Sequence, residues 1–483
     1  MLRVYADSNI YRVLVPAHPS HSTDLKATFD ALKDKLLFSF SEAHMDDLKN
    51  SIEEYIRKDL AFMEQFVLDN YMAYDRVQSK SLQFWLKTPQ QAFDQIDYAA
   101  AKSATTNPFD LSALASGFDD VPEAKVLITM LDKLFDLPLY GFIPDFDVSK
   151  MDEKSALMMN KMISGFGSPM SLRQMMNSIL PYGNALLNDD KEVTELRKYI
   201  GEYLDRDTYS FEKWGLGFDE KFRETAFGKS FLDVIDGMLV NNQKDDFQLK
   251  FSYAYSALEI FNVTKEKKRG GGVKKFDFDS LHIDGMHAYY ASYCDYLVTD
   301  DKGLQVKAHI LYNLFGFRTK VMSSQDFSNV MTLLLGQEET YAKLIDSLKF
   351  DIEHSMQIRE VPDFATGTTY KTYKTTHTYF NYFNRMQTID DPNSSIALFC
   401  NRGHFEGNNF LFREIQLLVN KMMNVFGPDD ENMGEFKMEE NKKIVPDYLV
   451  RQWTKSTVTF SLNAIYRSSF GNLLCLIIDF TNK

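Results

Sequence analysis

The sequence predicts an α/β fold built on a mainly parallel sheet, and three observations lead there. Short apolar runs that read as buried strands recur near both ends of one long stretch: Leu2 to Tyr5, Leu36 to Ser41, Tyr296 to Thr299 and Thr319 to Met322. Helix-spaced segments separate them, so residues 284 to 322 read as helix, strand, helix, strand. Acids follow the runs closely, at Asp7, at Asp46 and Asp47, and at Asp300 and Asp301. In open α/β sheets ligands gather beyond the carboxyl ends of the strands, which is where these carboxylates would stand.

The elements follow in order. Leu2, Val4 and Tyr5 make a first strand ending at Asp7, Ser8 and Asn9, and LLFSFS makes a second, followed by a helix starting EAHMDDL. Ile52, Tyr55, Ile56, Leu60, Met63 and Phe66 extend that helix as a long amphipathic one. From there to about Asp279 the chain reads as helical, with helices expected near 122–135, 153–164, 170–180, 191–204, 219–241 and 245–262. Pro138, Pro144, Pro169 and Pro181 punctuate this segment, and its methionines (Met158, Met159, Met162, Met170, Met175, Met176) read as helical core filler. Met286, Tyr289, Tyr290 and Tyr293 then share a helix face from Asp284 to Cys294. A helix from Gly303 to Phe315 stops at Gly316, and another is expected over 324–349.

The runs YADSNI, SFSEAHMDDL and DGMHAYYASYCDYLVTDD, taken together and in this order, resemble the PIN nuclease family. The resemblance covers about 50 N-terminal residues and about 55 near position 300. It implies a PIN-like parallel sheet sandwiched by helices, discontinuous in sequence (1–50 and 279–345), with a mainly helical insertion (51–278) between its halves. It also implies four catalytic, metal-binding acids: Asp7, Asp47, Asp284 and Asp301, with Asp46 and Asp300 as alternates. The activity implied is hydrolysis of RNA, tRNA included, in the manner of enzymes that act as toxins or in phage defence.

Physical chemistry supports carboxylates for that work. Hydrolysis of a phosphodiester needs an activated water and neutralisation of phosphoryl charge, and Mg²⁺ or Mn²⁺, which prefer oxygen ligands, supply both. Crowded carboxylates repel one another without a cation. Against this stands a plainer role, in which each Asp is a turn or helix-cap residue. Asn9, His44 and His287 are candidates to contact substrate or orient an acid; a hydrogen-bonded core histidine is the plainer reading for both rings, and His282 and His309 read as surface residues.

The most basic segment, Lys265 to Lys275, contains Lys267, Lys268, Arg269, Lys274 and Lys275 around three glycines. It reads either as a solvated linker or as a loop that contacts substrate phosphates. Overall the chain is acidic, 54 minus 68 or −14, so nucleic-acid binding would depend on a local basic patch. Three distant cysteines, Cys294, Cys400 and Cys475, in apolar surroundings suggest reduced thiols and a cytoplasmic protein, and no apolar run reaches membrane-spanning length.

Residues 352–483 change character. Thr372 to Phe383, Ile396 to Cys400, Val458 to Leu462 and Leu473 to Phe480 read as strands and Phe410 to Phe426 as a helix, giving an α+β domain with an antiparallel sheet. It carries no recognisable motif, and a protein partner, RNA or a second copy could use it. Besides the ribonuclease, two other functions suit the sequence: a non-catalytic PIN-like binding or assembly module, and a structure-specific DNA nuclease.

Overall fold

The computed structural model describes residues 2–49, 51–75, 81–96, 152–162, 217–225, 228–239, 245–261, 278–335, 339–363, 368–390, 397–401, 412–441, 448–467 and 471–480, with a few single positions between 182 and 200. The helices expected near 122–135 and 170–180, and the basic segment around Arg269, lie outside them. The chain divides into two compact units. One comprises Met1–Gln95, Ser210–Leu258 and His282–Lys483, the other Ile96–Tyr209 and Glu259–Leu281.

In the first unit, β1 (Arg3–Ala6) leads through α1 (Ser8–Leu14) and α2 (Thr23–Leu32) to β2 (Leu37–Ser41). Next come α3 (Glu42–Leu48) and α4 (Glu53–Val67). The expected single helix is thus two. Ile52 and Tyr55, assigned to its buried face, are 67% and 57% exposed, because α4 starts only at Glu53 and turns Ile56, Leu60, Met63 and Phe66 inward instead.

A larger correction follows. Residues expected to be helical form β3 (Asn70–Asp75) and β4 (Ser81–Leu86), an antiparallel pair, and then α5 (Pro89–Asp94). The strand pair joins the main sheet, whose order is β4-β3-β2-β1-β5-β6. All its neighbours except β3 and β4 run parallel.

The second unit contains α6 (Glu153–Met162), where Lys161 pairs with Glu192 and Glu195 at 2.6 and 2.7 Å. The Tyr182 hydroxyl donates to the Met158 sulfur at 3.6 Å, so at least one methionine packs within the unit.

Back in the first unit, α7 (Phe218–Arg223) and α8 (Phe231–Met238) replace one expected helix, since Ser230 caps a new start by accepting from Asp233 N–H at 3.1 Å. Then come α9 (Phe247–Ile260), α10 (Phe278–Ala291), β5 (Tyr296–Val298), α11 (Lys302–Phe315), β6 (Lys320–Met322) and α12 (Ser324–Leu335). The expected 324–349 helix ends here, and Thr340 caps its successor, α13 (Tyr341–His354).

Strand alternation decides what each layer covers. Phe38 and Tyr296 meet Phe29 of α2 and Phe327 of α12 on one face, at centroid distances of 5.1 and 6.2 Å. On the other face Tyr5 and Tyr74 meet His287 and Tyr289 of α10, at 5.7 and 5.9 Å. Rings from α9, α10 and α11 close that side: Phe251 lies 5.6 Å from Tyr289 and 5.8 Å from Phe315. Gly285 allows this approach, as a Cβ there would stand 3.1 Å from the Tyr255 ring.

The C-terminal part is a seven-stranded antiparallel sheet: β7 (Met356–Asp363), β8 (Thr368–Tyr379), β9 (Phe383–Asp390), β10 (Ala397–Asn401), β11 (Tyr448–Lys455), β12 (Val458–Arg467) and β13 (Gly471–Asp479), in the order β11-β12-β13-β10-β9-β8-β7. The expected Thr372 to Phe383 strand breaks at Phe380 and Asn381, both with positive φ (52° and 53°), the pattern a tight hairpin turn requires. One helix, α14 (Phe412–Phe426), packs on the sheet, with Phe426 4.5 Å from Phe460. Its first turn also reaches the parallel sheet. Glu414 accepts from Arg3 Nη2 at 2.8 Å and Arg413 Nε donates to Asp69 at 3.0 Å.

Cys294 and Cys475 are free and buried. No helix among the described residues is long and apolar enough to cross a membrane.

Candidate active site at the strand-order reversal

The parallel strands are added outward from β1 on one side (β2, β3) and then on the other (β5, β6), so the order reverses between β1 and β5. Connections diverge at such a point and leave a crevice at the carboxyl ends of the strands. Asp7 and Asp301 both lie there.

Asp7 follows β1 and caps α1. Its Oδ1 accepts from Ile10 N–H at 3.0 Å, and its Oδ2 accepts from the Thr299 hydroxyl. Thr299 Oγ1 in turn accepts from the Asp301 N–H at 3.1 Å, so one hydroxyl bridges the ends of β1 and β5. Asp301 caps α11 through Leu304 N–H at 2.9 Å. Asp300 turns the other way, accepting from Ser324 N–H and its hydroxyl at 2.9 and 2.7 Å at the start of α12. Asp301 is therefore the acid of the pair on Asp7's side. Burial raises the Asp7 pKa; Thr299, His287 and the Ile10 N–H oppose the rise, and nearby Asp301 adds to it.

Asp47 and Asp284 come from helices on the two sides of β1's end. On α3, Asp46 lies toward Tyr71, whose ionisation it opposes together with Glu42. Asp47 turns to α10, where its Oδ2 accepts from His287 Nε2 at 2.9 Å. Ser8 lies beside it. Asp284 precedes His287 by one helical turn and, with Asp7, adds to the negative potential on that ring.

Beneath the acids runs a buried polar chain. Tyr5 places its hydroxyl 2.8 Å from His287 Nδ1, 2.7 Å from Ser41 Oγ and 3.3 Å from His44 Nδ1. His44 Nε2 lies 2.9 Å from the Ala6 carbonyl, which can only accept, so Nε2 carries the proton. Its Nδ1 is then the acceptor for Ser41 N–H at 3.2 Å, which leaves the ring neutral.

Burial pulls His287 down, but the Asp47 bond and the charges of Asp47, Asp7 and Asp284 outweigh it and leave its pKa raised. Burial raises Asp47, yet its bond to His287 brings the net shift below the ordinary carboxylate value. The two shifts describe one ion pair. The side chains of Asp47 and His287 are 28% and 3% exposed, so solvent reaches the acid and not the ring. His44, 1% exposed, is likewise enclosed. Neither histidine is presented for direct contact with a substrate, as the sequence allowed; both lie under the acids, and His287 orients one. Asn9 is exposed at the start of α1, its Oδ1 accepting from Arg12 Nη1 at 3.2 Å.

The donor chemistry suits a hard divalent cation. The four acids offer only oxygen, and a carboxylate oxygen that accepts one hydrogen bond keeps a lone pair for a cation. Among the described residues no three His, Cys, Asp or Glu side chains already stand close enough to hold an ion.

His44 makes a measurable contribution to stability. Burial, with His287 nearby, lowers its pKa to about 3. The folded ring then stays neutral where an unfolded histidine, with a pKa of about 6.5, takes a proton. The associated stability is present above pH 6.5 and falls by about 1.4 kcal/mol per pH unit as pH drops toward 4. His287, with its pKa raised, is protonated in both states across that window, and Asp47 is ionised in both, so neither adds slope there. Denaturant unfolding between pH 7 and 4.5 is expected to show this slope reduced by about one proton in His44→Gln; equal slopes would contradict the assignment.

Tyr5, Thr299 and Ser8 were not singled out from sequence. A tyrosine within a buried strand is a signal, since its hydroxyl must find a partner. Neither a family model, nor a curated protein, nor a solved structure matches this chain.

Proposed function

We propose that the chain is a metal-dependent, PIN-like endoribonuclease that uses Asp7, Asp47, Asp284 and Asp301 as its acid set. One observation carries the reading: four acids on four separate elements gather around the carboxyl ends of β1 and β5, at the reversal of strand order, with Asp7, Asp47 and Asp284 all acting electrostatically on the same buried imidazole. Mg²⁺ or Mn²⁺ bound by these oxygens would supply an activated water and neutralise phosphoryl charge. The chain's own part is positioning. Thr299 and the Ile10 N–H fix the Asp7 carboxylate, the Leu304 N–H fixes Asp301, and His287 holds Asp47 while Tyr5 holds His287. An effector nuclease acting as a toxin or in antiviral defence is a role that would suit such an activity.

A second reading has its own support. Asp7 and Asp301 cap helices, Asp300 binds the start of α12, and Asp47 has a cationic partner, which is what a non-catalytic binding module would also show. End-labelled RNA and DNA incubated with the purified protein, with and without Mn²⁺, separate the two. The nuclease reading expects metal-dependent RNA cleavage. RNA retained but uncut at saturating Mn²⁺ would favour the binding module, and cleavage confined to DNA would give the structure-specific DNA nuclease.

A further inference from the structure

On the outer side of the acid site, α1, α3 and α4 enclose an open-mouthed cleft of about 340 Å³. Leu48, Phe62 and Met63 supply apolar walls, and Arg12 and Asp59 stand on the lining as well. Ser8 and Tyr11 also line it, and these two are unusual. Both are more than nine-tenths buried, at 8% and 5% exposure, and neither hydroxyl oxygen has a hydrogen-bond partner of ordinary geometry. A buried hydroxyl left unsatisfied costs about 1–3 kcal/mol, so two in one cleft call for a ligand that completes them.

The surroundings narrow the ligand's chemistry. His44 forms part of the wall, and its one N–H is committed to the Ala6 carbonyl, so the inner wall offers no positive charge for a carboxylate or phosphate. Hydroxyls both donate and accept, which matches the mixed edge of a neutral heterocycle. The apolar walls suit the faces of a flat ring entering edge-on. Arg12, next to exposed Asn9, supplies positive charge for an adjoining phosphate. Position completes the case: Ser8 directly follows Asp7 and lies beside Asp47.

We propose that this cleft is a nucleobase subsite, where one unpaired base of the RNA inserts and hydrogen-bonds to the Ser8 and Tyr11 hydroxyls while its phosphate lies toward the acids. The assignment of RNA as the occupant rests on the ribonuclease reading. The subsite gives that enzyme a base preference, because a site whose polar groups need partners rejects a ring that lacks them.

Tyr11→Phe and Ser8→Ala test it, with fluorescently labelled rA, rC, rG and rU oligomers titrated in EDTA so that binding is measured without cleavage, and with thermal unfolding measured alongside. Each variant is expected to weaken binding of the preferred oligomer by about fivefold to tenfold, to level the preference among the four, and to melt no lower than wild type, since the hydroxyl removed was unpaired. Unchanged affinity with unchanged or higher melting temperature would overturn the subsite. Unchanged affinity with a lowered melting temperature would also overturn it, by showing that the hydroxyls hold a buried water only. The outcome is independent of turnover: a wild-type protein that binds one oligomer through these hydroxyls and cuts none keeps the subsite and loses the catalytic reading, whereas one that cuts RNA with no dependence on them does the reverse.

Discussion

Asp7→Asn is expected to lower Mn²⁺-supported RNA cleavage by at least about a hundredfold while the protein melts at the same or a higher temperature. Replacing a residue that only supports a metal ligand typically costs about 10–100-fold, so removing a ligand's charge should cost no less. The fold should tolerate the change for a specific reason. The task Asp7 performs for α1 is to accept the Ile10 N–H, and an asparagine oxygen caps a helix about as well. Asp7 is also 3% exposed, and burial disfavours its charged form, so neutralising it relieves a cost of the free protein. Cleavage time courses and melting curves of the same preparation check both halves. Retained cleavage at saturating Mn²⁺ would leave Asp7 as a helix cap and shift the balance to the binding-module reading.

The second large effect concerns stability. Glu414→Ala is expected to destabilise the protein by about 3–5 kcal/mol, the usual result of breaking a buried ion pair by removing one partner. Glu414 is fully buried and binds Arg3 Nε and Nη2 at 3.2 and 2.8 Å, and Arg3 also lies 5.5 Å from the Phe84 ring centre. Without Glu414 the guanidinium is left buried with its charge unmatched. Replacing both partners, as Arg3→Met with Glu414→Leu, should recover most of the loss, because the Coulomb gain of such a pair barely exceeds its desolvation cost. Guanidinium unfolding of the three proteins measures this; a single variant within 1 kcal/mol of wild type would mean that α14 is held to the parallel sheet mainly by apolar contact, such as that of Leu417 with Leu37.

The parallel strands were legible because each is a short apolar run that stops at polar residues, and the acids beyond them were legible for the same reason. β3 and β4 escaped because the amphipathic pattern of α4 runs up to Val67, and the following NYMAYD continues it with no turn residue between. The period-two signal was present in SLQFWL, where Leu82, Phe84 and Leu86 alternate with polar or exposed neighbours, but six residues constrain little on their own. β7 escaped for a different reason: its Met356, Ile358 and Val361 are 63%, 40% and 39% exposed, so burial imposes no alternation on it. In the site, the acids were readable as residue types at strand ends. Which neighbour each one binds was not, because Tyr5 to His287 and His287 to Asp47 span 282 and 240 positions and are set by strand pairing alone.

Strand β1 is central in the sheet, yet its neighbour β5 and the Thr299 hydroxyl that holds Asp7 come 292 positions later in the chain. At ordinary synthesis rates this leaves about 15–60 s in which one edge of β1 has been made and its partner has not. During translation the growing polypeptide therefore carries an open strand edge, a template for wrong pairing and a point of dependence on chaperones. The same delay acts as a timer, since Asp7 and Asp301 cannot meet until nearly two thirds of the chain exists. A ribosome-arrested chain ending before Tyr296 should be cut by protease around Val4–Ala6, and one extending well past Met322 should resist.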